Sequence, residues 1–332
     1  MMPFDVPVAL FMFKRDKAVE IVRRIAAVQP RKLYLLADYG RNEDECRQAE
    51  AVRHAVEAEI TWECDVIKNY ATENRGVYEN IGEGAKWVLA REKWAIFLED
   101  DNLPEPTFFP FCREMLTRYE DDARVLWICG TNYLGNYHPK SGDSYVFTRH
   151  MLPCGWASWS NKFLRFYDGK MELYEDAAIQ KRVAKNYCDP RLYRQYKGSW
   201  SGEYFRIKAG GRPISWDYQM DFSIKAHSLF GICPCQNQIK NIGVDGDSIH
   251  GGNSFSDEMT RRFCGMTSHP IPFPLQHPQS LQIDPIFEKK IGKIMLYPWR
   301  QRVRSGAIRL ARFLLRVPQG ESTKAFLFKK KG

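Results

Sequence analysis

The stretch that decides the fold class is Trp94-Ala95-Ile96-Phe97-Leu98-Glu99-Asp100-Asp101-Asn102, in which an apolar run passes directly into three carboxylates. A short apolar run of this kind predicts a strand that is buried on both faces of a sheet. Open α/β sheets bind ligands beyond the carboxyl ends of their strands, which is where these acids would lie. The alternative interpretation is a solvated acidic turn ahead of Pro104 and Pro106.

The three carboxylates repel one another, which favours a bound cation, and their hard oxygen atoms suit Mn²⁺ or Mg²⁺. Such a metal is usually shared with the phosphates of a substrate. The glycine-rich loops that hold phosphates in other nucleotide-binding proteins are missing, because Lys14-Arg15-Asp16-Lys17 follows the first predicted strand and no Walker A loop occurs. The sequence therefore predicts phosphates held through a metal on the acidic turn.

Strands and helices alternate through the first 130 residues. Apolar runs predict strands over residues 6–13, 33–37, 60–67, 94–98 and 124–129, and helical periodicity predicts helices over residues 16–28, 43–58, 77–91 and 106–119. This alternation predicts an α/β fold with a mostly parallel sheet that is flanked by helices.

After residue 130 aromatic residues and glycines become dense and the alternation stops. We expect helices near residues 174–186 and 213–227 and short strands over residues 231–236 and 239–244. No linker separates the two parts, so the expected organisation is one domain with halves 1–130 and 131–275, followed by an extended linker and a tail over 276–332.

The tail is strongly basic. Of the net charge of +9, residues 289–332 carry 13 Lys/Arg and one acid, or +12, which leaves 9 − 12 = −3 for the rest. A helix over residues 300–316 would align Val303, Ala307, Leu310 and Leu314 on one stripe with arginines mostly off it. Such a helix is typical of segments that lie on an anionic membrane surface, although the stripe could also pack on the protein's own core. No nucleic-acid-binding motif accompanies the charge.

The expected compartment follows from the cysteines and from the absence of a leader. Nine cysteines is an odd number, and none has the spacing of a zinc site, which favours a reducing environment. The first residues lack a signal-peptide pattern, and no apolar stretch is long enough to span a bilayer. We therefore expect a cytoplasmic protein that binds peripherally to the inner face of the membrane.

Four ordered motifs between residues 6 and 250 resemble those of bacterial GT-A nucleotide-diphospho-sugar glycosyltransferases that are distantly similar to the N-acetylglucosaminyltransferase I family. The motifs are Glu99-Asp100-Asp101 with the helix that contains Phe108-Phe109, the pair Gly155-Trp156, the pair Trp216-Asp217, and the strand Gly231-Ile232-Cys233-Pro234. The resemblance implies a GT-A, Rossmann-like fold in which residues 1–130 bind the nucleotide sugar and residues 131–275 form the acceptor and catalytic half.

The resemblance also implies a role for each matched residue. Arg15 and Asp38 would contact the nucleotide base, Glu99 and Asp100 would face the ribose and the donor sugar, and Asp101 would ligate the metal. Asp217 would be the catalytic base. The family has two aspartates after the tryptophan, whereas this chain has Asp217 followed by Tyr218, so Asp221 is the alternative base.

Three further side chains, those of His250, Trp156 and Trp159, are considered for the site. His250 follows a predicted strand and is a candidate to complete the metal shell or to touch the diphosphate. Trp156 and Trp159 are interpreted as core residues rather than as platforms for a sugar ring.

The function expected from these observations is metal-dependent, inverting transfer of a sugar from a UDP-sugar to a glycan or lipid-linked glycan acceptor, with N-acetylglucosamine as the first donor sugar to test. The alternatives are a metal-dependent nucleotidyl or phosphoryl transferase that uses the same acidic turn, and a non-catalytic protein that binds sugar nucleotides or glycans.

Overall fold

A computed structural model of the chain describes residues 4–244 and 254–317. Its centre is an eight-stranded sheet with the strand order β3-β2-β1-β4-β8-β6-β9-β7, beside a two-stranded ribbon of β10 and β5. The strands are β1 (Val8–Met12), β2 (Lys32–Ala37), β3 (Asp65–Tyr70), β4 (Trp94–Glu99), β5 (Asn102–Pro104), β6 (Val125–Cys129), β7 (Tyr145–Thr148), β8 (Trp156–Trp159), β9 (Phe230–Pro234) and β10 (Ile239–Asn241).

Helices flank this sheet. They are α1 (Ala18–Ile25), α2 (Glu43–Ala58), a π-helix (Tyr78–Glu83) that runs into α3 (Gly84–Leu89), α4 (Phe108–Arg118), α5 (Ser160–Phe166), a 3₁₀-helix (Glu172–Glu175), α6 (Ala177–Lys185), α7 (Pro190–Lys208), α8 (Asp217–Ala226), α9 (Glu258–Cys264), α10 (Pro285–Met295) and α11 (Trp299–Leu314). None of the helices in the described part of the chain is both long and apolar enough to cross a membrane.

The sheet is mostly parallel, which confirms the predicted fold class. Strands β1 to β4 are parallel, β8 runs antiparallel between β4 and β6, and β9 is parallel to β6. Strand β7 closes the far edge in the antiparallel direction. Strands from both halves of the sequence therefore belong to one sheet.

Several elements differ from the sequence prediction. Strand β3 begins at Asp65, later than the predicted 60–67, because Trp62 packs into the loop before it and donates its Nε1–H to the carbonyl of Pro30 at 3.0 Å. The predicted helix over 77–91 contains a π-helical stretch. Strands β7 and β8 and helix α7 were not predicted, since β7 and β8 have four residues each and α7 has little periodicity.

An aromatic stack connects the centre of the sheet to helix α8. Trp156 on β8 stacks on Phe97 of β4 and on Trp127 of β6, with ring centroids 4.0 and 4.2 Å apart. Trp216 lies 5.6 Å from Trp156 and leads into helix α8. Trp156 and Trp159 are buried, so both are core residues as predicted. The stack positions the start of α8 above the sheet.

Residues 276–317 have two structurally different parts. Helix α10 packs into the core through Phe287 and Ile291, which are fully buried. Helix α11 buries none of its residues. The part of the described tail that lies outside the core therefore begins at Trp299.

Candidate active site

The acidic turn lies at the carboxyl end of β4, beside the end of β1. Glu99 is paired in register with Phe11, and the backbone N–H of Phe13 donates to Asp100 Oδ2 at 3.2 Å. Parallel β1 and β4 therefore end together, which brings the three acids to the edge of the sheet where α/β proteins bind ligands.

Arg15 forms ion pairs with the acidic turn. Its Nη1 lies 2.9 Å from Asp101 Oδ2 and 3.5 Å from Asp100 Oδ1. Two carboxylates attract a guanidinium more strongly than a neutral crevice does, which explains this placement. The predicted contact between Arg15 and a nucleotide base stays a prediction.

Two carboxyl groups of the acidic turn, those of Glu99 and Asp100, have raised pKa values. Burial, followed by repulsion from Asp101, Asp100 and Asp217, holds the pKa of Glu99 well above its usual range. Burial and the charge of Asp101 raise the pKa of Asp100 to about 7, although Arg15 opposes the shift. A bound cation would relieve this repulsion.

A loop after β10 closes over Asp101. The backbone N–H of Ile242 donates to the carbonyl of Asp101 at 2.9 Å, and Lys17 Nζ donates to the carbonyl of Ile242. A Cβ atom at Gly243 would lie 2.2 Å from Asp101 Oδ2, so this position requires glycine for the close approach. Neither Lys17 nor Gly243 carried a motif that could have identified it in the sequence.

Asn102 connects the acidic turn to the start of β8. Its Oδ1 accepts from the backbone N–H of Gly155 at 2.8 Å, and its Nδ2 donates to Asp101 Oδ1 at 2.6 Å. Gly155 has φ +61°, and a Cβ there would lie 2.5 Å from Ile239, so a side chain is excluded for two reasons. The predicted Gly-Trp motif thus lies directly against the acidic turn.

Asp38 ends β2 and is buried. Its Oδ1 accepts from the backbone N–H groups of Tyr39 and Arg75 at 2.8 and 2.7 Å, and its Oδ2 accepts from Gly76 N and Asn74 Nδ2 at 2.9 and 3.2 Å. A carboxylate has about four acceptor positions, and these contacts occupy them. In the structure Asp38 therefore holds the loop after β3, and its predicted contact with a nucleotide base stays a prediction.

Asp217 is the first residue of α8 and is half-buried. Ser215 Oγ donates to Asp217 Oδ1 at 2.5 Å, and Trp216 anchors the turn in the aromatic stack. The charge of Asp217 contributes to the raised pKa of Glu99, so the two carboxylates are close enough to interact across the crevice. The structure thus brings Asp217 into the same site as the acidic turn.

Asp221, the alternative base, lies in a different environment. It is buried, forms an ion pair with Lys225, and accepts a hydrogen bond from Tyr187 at 3.2 Å. Both carboxylate oxygens are occupied inside the protein, which is the arrangement of a structural ion pair.

Tyrosines surround Asp217. The sequence shows that aromatic residues are dense after residue 130, but it did not predict that tyrosines lie beside this aspartate. Burial raises the pKa of Tyr218 to about 12, and the charge of Asp217 adds to the shift. Burial and then Asp217 also raise the pKa of Tyr297. Asp217 therefore lies beside Tyr218 and Tyr297, which together form an aromatic wall of the site.

The donor set fits a metal that is shared with a substrate. Among residues 4–244 and 254–317, no three His, Cys, Asp or Glu side chains form a ready-made metal cage. Mg²⁺ commonly takes one or two carboxylates from the protein and its other oxygens from phosphate and water, and Asp101 in a repulsive acidic cluster suits that role. His250 lies outside the described residues, so its predicted contact with the metal or diphosphate stays a prediction.

Comparison with known proteins gives little similarity. No family model and no curated protein sequence matches the chain. The 4-diphosphocytidyl-2C-methyl-D-erythritol synthase of Anaerococcus prevotii DSM 20548 has a TM-score of 0.34 and 6% identity, over 69% of this chain and 89% of its own. A UDP-glucose pyrophosphorylase in complex with UDP-glucose has a TM-score of 0.33 and 10% identity, over 71% and 92%. Mouse xyloside xylosyltransferase 1 has a TM-score of 0.29 and 13% identity, over 67% of this chain and 81% of its own. Similarities at these TM-scores support no conclusion about function, which is inferred below from the chain's own residues.

Proposed function

We propose that the chain is a metal-dependent, inverting glycosyltransferase that moves a sugar from a UDP-sugar to a glycan or lipid-linked glycan. The observation that supports this most is the placement of Asp217 opposite the acidic turn at the ends of β1 and β4. One side of the crevice then has oxygens for a metal–diphosphate, and the other has a carboxylate that can act as a base. UDP-N-acetylglucosamine is the first donor to test, because the resemblance to the N-acetylglucosaminyltransferase I family points to it.

On the donor side, Asp101 would hold Mn²⁺ or Mg²⁺, with Glu99 and Asp100 facing the ribose and the sugar. The ion supplies positive charge that stabilises the departing UDP. Arg15 already lies at Asp101, where its guanidinium can also bind a phosphate in two-pronged geometry. Asp38 would act on the base side by fixing the loop after β3.

On the acceptor side, Asp217 would take the proton from the attacking hydroxyl as the new glycosidic bond forms and the bond to the UDP oxygen breaks. Ser215 and Trp216 orient its carboxylate. A single displacement of this kind inverts the anomeric centre and requires no covalent intermediate on the protein. The surrounding aromatic wall would limit access of water to the donor sugar.

The experiment is a product assay across a panel of sugar nucleotides, with Mn²⁺ or with EDTA. Release of UDP from one donor only when metal is present supports the proposal. Release of pyrophosphate would favour the alternative, a nucleotidyl or phosphoryl transferase that uses the same acids. Binding of a sugar nucleotide with no product from any donor or acceptor would favour a non-catalytic binding protein.

We also propose that α11 docks the enzyme on the anionic inner face of the membrane, in the cytoplasm. The stripe residues Val303, Leu310 and Leu314 are 62%, 59% and 70% exposed, so the predicted stripe does not pack on the core. Arginines on the same helix would add about 1 kcal/mol each near anionic lipid.

Co-sedimentation with vesicles tests the membrane proposal. The full chain should pellet with anionic vesicles at low salt and be released at high salt. A chain that ends at Pro298 keeps α10 and should stay in the supernatant. Retention of the full chain in the supernatant with anionic vesicles at low salt, or equal pelleting of the shortened chain, would contradict the proposal.

A further inference from the structure

A groove lies between helices α7 and α11. Its volume is about 410 Å³, within the size range of small-ligand sites. The residues that line it include Arg194, Ser199, Tyr297, Arg302, Ser305 and Arg309. The groove is thus lined by arginines and hydroxyl groups from two helices that are far apart in the sequence.

Three of the four arginines that line this groove lack acidic partners among the described residues. Arg194, Arg302 and Arg309 form no ion pair with a carboxylate of the described residues, whereas Arg191, the fourth arginine of the lining, pairs with Asp189 at 2.7 Å. The Nε of Arg302 is buried and has no hydrogen-bond partner. A buried donor without an acceptor is costly, and so are like charges that converge. A bound anion would relieve both costs.

The floor of the groove leaves room for such an anion. Gly198 lies inside α7, where glycine costs roughly 0.5–1 kcal/mol relative to alanine. A Cβ at Gly198 would meet only Arg309 Nη1, at 3.9 Å, so this arginine lies directly above the position that has no side chain. Arginine binds phosphate oxygens with two parallel N–H groups, which matches the planar guanidinium groups available here.

The groove adjoins the catalytic residue through two tyrosines. Tyr297 lines the groove and also lies near Asp217. Tyr218 follows Asp217 directly, and its hydroxyl bonds to Ser199 of the groove. Gln195 fixes this wall, because it accepts from the backbone N–H of Tyr297 and donates to the carbonyl of Met295, both at 2.9 Å. An acceptor that spans the wall could place a hydroxyl at Asp217 and a charged group in the groove.

We infer that the groove binds the phosphate or diphosphate of a lipid-linked acceptor, which orients the sugar hydroxyl toward Asp217. This inference rests on the proposed glycosyltransferase function and specifies the acceptor class. A lipid-linked source fits the position of the groove, because the same helix α11 exposes its apolar stripe beside it. The acidic turn would hold the donor diphosphate, and the arginine groove would hold the acceptor diphosphate.

The test is calorimetric titration of the full chain with two probes, inorganic pyrophosphate and a water-soluble hexyl diphosphate. The titrations contain EDTA, so that no metal on the acidic turn recruits the probes. Hexyl diphosphate should bind at least as tightly as pyrophosphate. Arg302→Gln and Arg309→Gln should each weaken binding of both probes by about tenfold, the loss of roughly one charge-assisted hydrogen bond.

Arg304→Gln is the matched control, since it removes the same charge from α11 at a position that does not line the groove. It should change the affinity by about twofold or less. Ser305→Asp provides a second variant, which should abolish binding by placing a carboxylate in the groove. Thermal unfolding of each variant shows whether the fold is retained.

Three results would overturn the inference: no binding of either probe to the wild type, an equal loss in Arg304→Gln, or binding of pyrophosphate with exclusion of hexyl diphosphate. The last result would assign the groove to a free anion. The titrations use neither sugar nucleotide nor metal, so they test the groove separately from the proposed function. The groove can fail to bind either probe while metal-dependent UDP release is observed, and it can bind both probes while no UDP is released.

Discussion

Glu288 offers the sharpest prediction about what holds the tail in place. This residue lies in the first turn of α10 and its side chain is 4% exposed. It accepts hydrogen bonds from Thr148 Oγ1 at 2.7 Å and from the backbone N–H of Arg149 at 2.5 Å, and it lies 3.0 Å from His150 Nε2. These contacts attach α10 to β7, and through α10 they position α11.

The magnitude follows from the pKa of this carboxyl. Burial alone would raise it, but His150 and the hydrogen bonds outweigh burial and lower the pKa of Glu288 from 4.5 to about 2. At about 1.36 kcal/mol for each pH unit, ionised Glu288 contributes roughly 3 kcal/mol to the free energy of unfolding at neutral pH. Because the folded-state pKa is depressed, the contribution is complete above pH 4.5 and is lost as the pH falls toward 2.

The perturbation is Glu288→Gln, which keeps the size of the side chain and removes the charge. Urea unfolding at pH 7 should give a free energy of unfolding about 3 kcal/mol below the wild type, in line with the loss of one partner from a buried pair. At pH 3 the same linkage leaves a difference of roughly 1.4 kcal/mol. Glu114→Gln is the control, because Glu114 pairs with His277 at the same 3.0 Å but is 36% exposed, and its loss should cost less than about 1 kcal/mol.

Two outcomes would refute this reasoning. A loss below about 1 kcal/mol for Glu288→Gln at pH 7 would mean that the buried pair contributes little net stability. A difference that stays constant between pH 7 and pH 3 would mean that the variant acts through packing rather than through the charge.

Further predictions concern the crevice. Asp101→Ala should abolish metal-dependent UDP binding in calorimetry without unfolding the protein, since a turn acid rarely supports a core; unchanged affinity with Mn²⁺ would exclude it as the ligand. Asp217→Asn should lower turnover by a factor of roughly 10²–10⁴ while the donor affinity is kept. Asp221→Asn should chiefly lower the melting temperature, because it breaks the ion pair with Lys225. A loss of turnover in Asp221→Asn but not in Asp217→Asn would make Asp221 the base. Gly243→Ala should weaken UDP binding with Mn²⁺ at least tenfold, because its Cβ would displace Asp101; wild-type affinity would show that the loop can move aside.

Local pattern was enough to predict the parallel half of the fold. The run before Glu99 is buried along its length, and such strands have a strong apolar signal. Strand β3 lies at the edge of the sheet and has no fully buried residue, so the apolar residues ahead of it, Ile60 and Trp62, shifted its predicted position.

Long-range pairing and side-chain competition explain what could not be predicted. Residues 156–159 insert between β4 and β6, and nothing in a four-residue segment specifies partners that are about sixty and thirty residues away. Arg15 lies just beyond the end of β1 as expected. Its partner is Asp101, a carboxylate that only the folded chain brings beside it. Asp38 is at the predicted edge as well, and the loop after β3 takes up its oxygens. Position at the edge of the sheet was therefore predictable, whereas the partner of each side chain was not.

The insertion of β8 between β4 and β6 also determines how long the edge of β4 stays unpaired while the chain is being synthesised. The strand Trp94–Glu99 is complete long before its neighbour Trp156–Trp159 leaves the ribosome. Until then, one edge of an apolar strand that ends in the acidic turn has no hydrogen-bonding partner, and edges of this kind recruit other chains. The nascent protein thus passes through an interval of some sixty residues in which the edge of β4 beside the acidic turn is open to pairing with other chains.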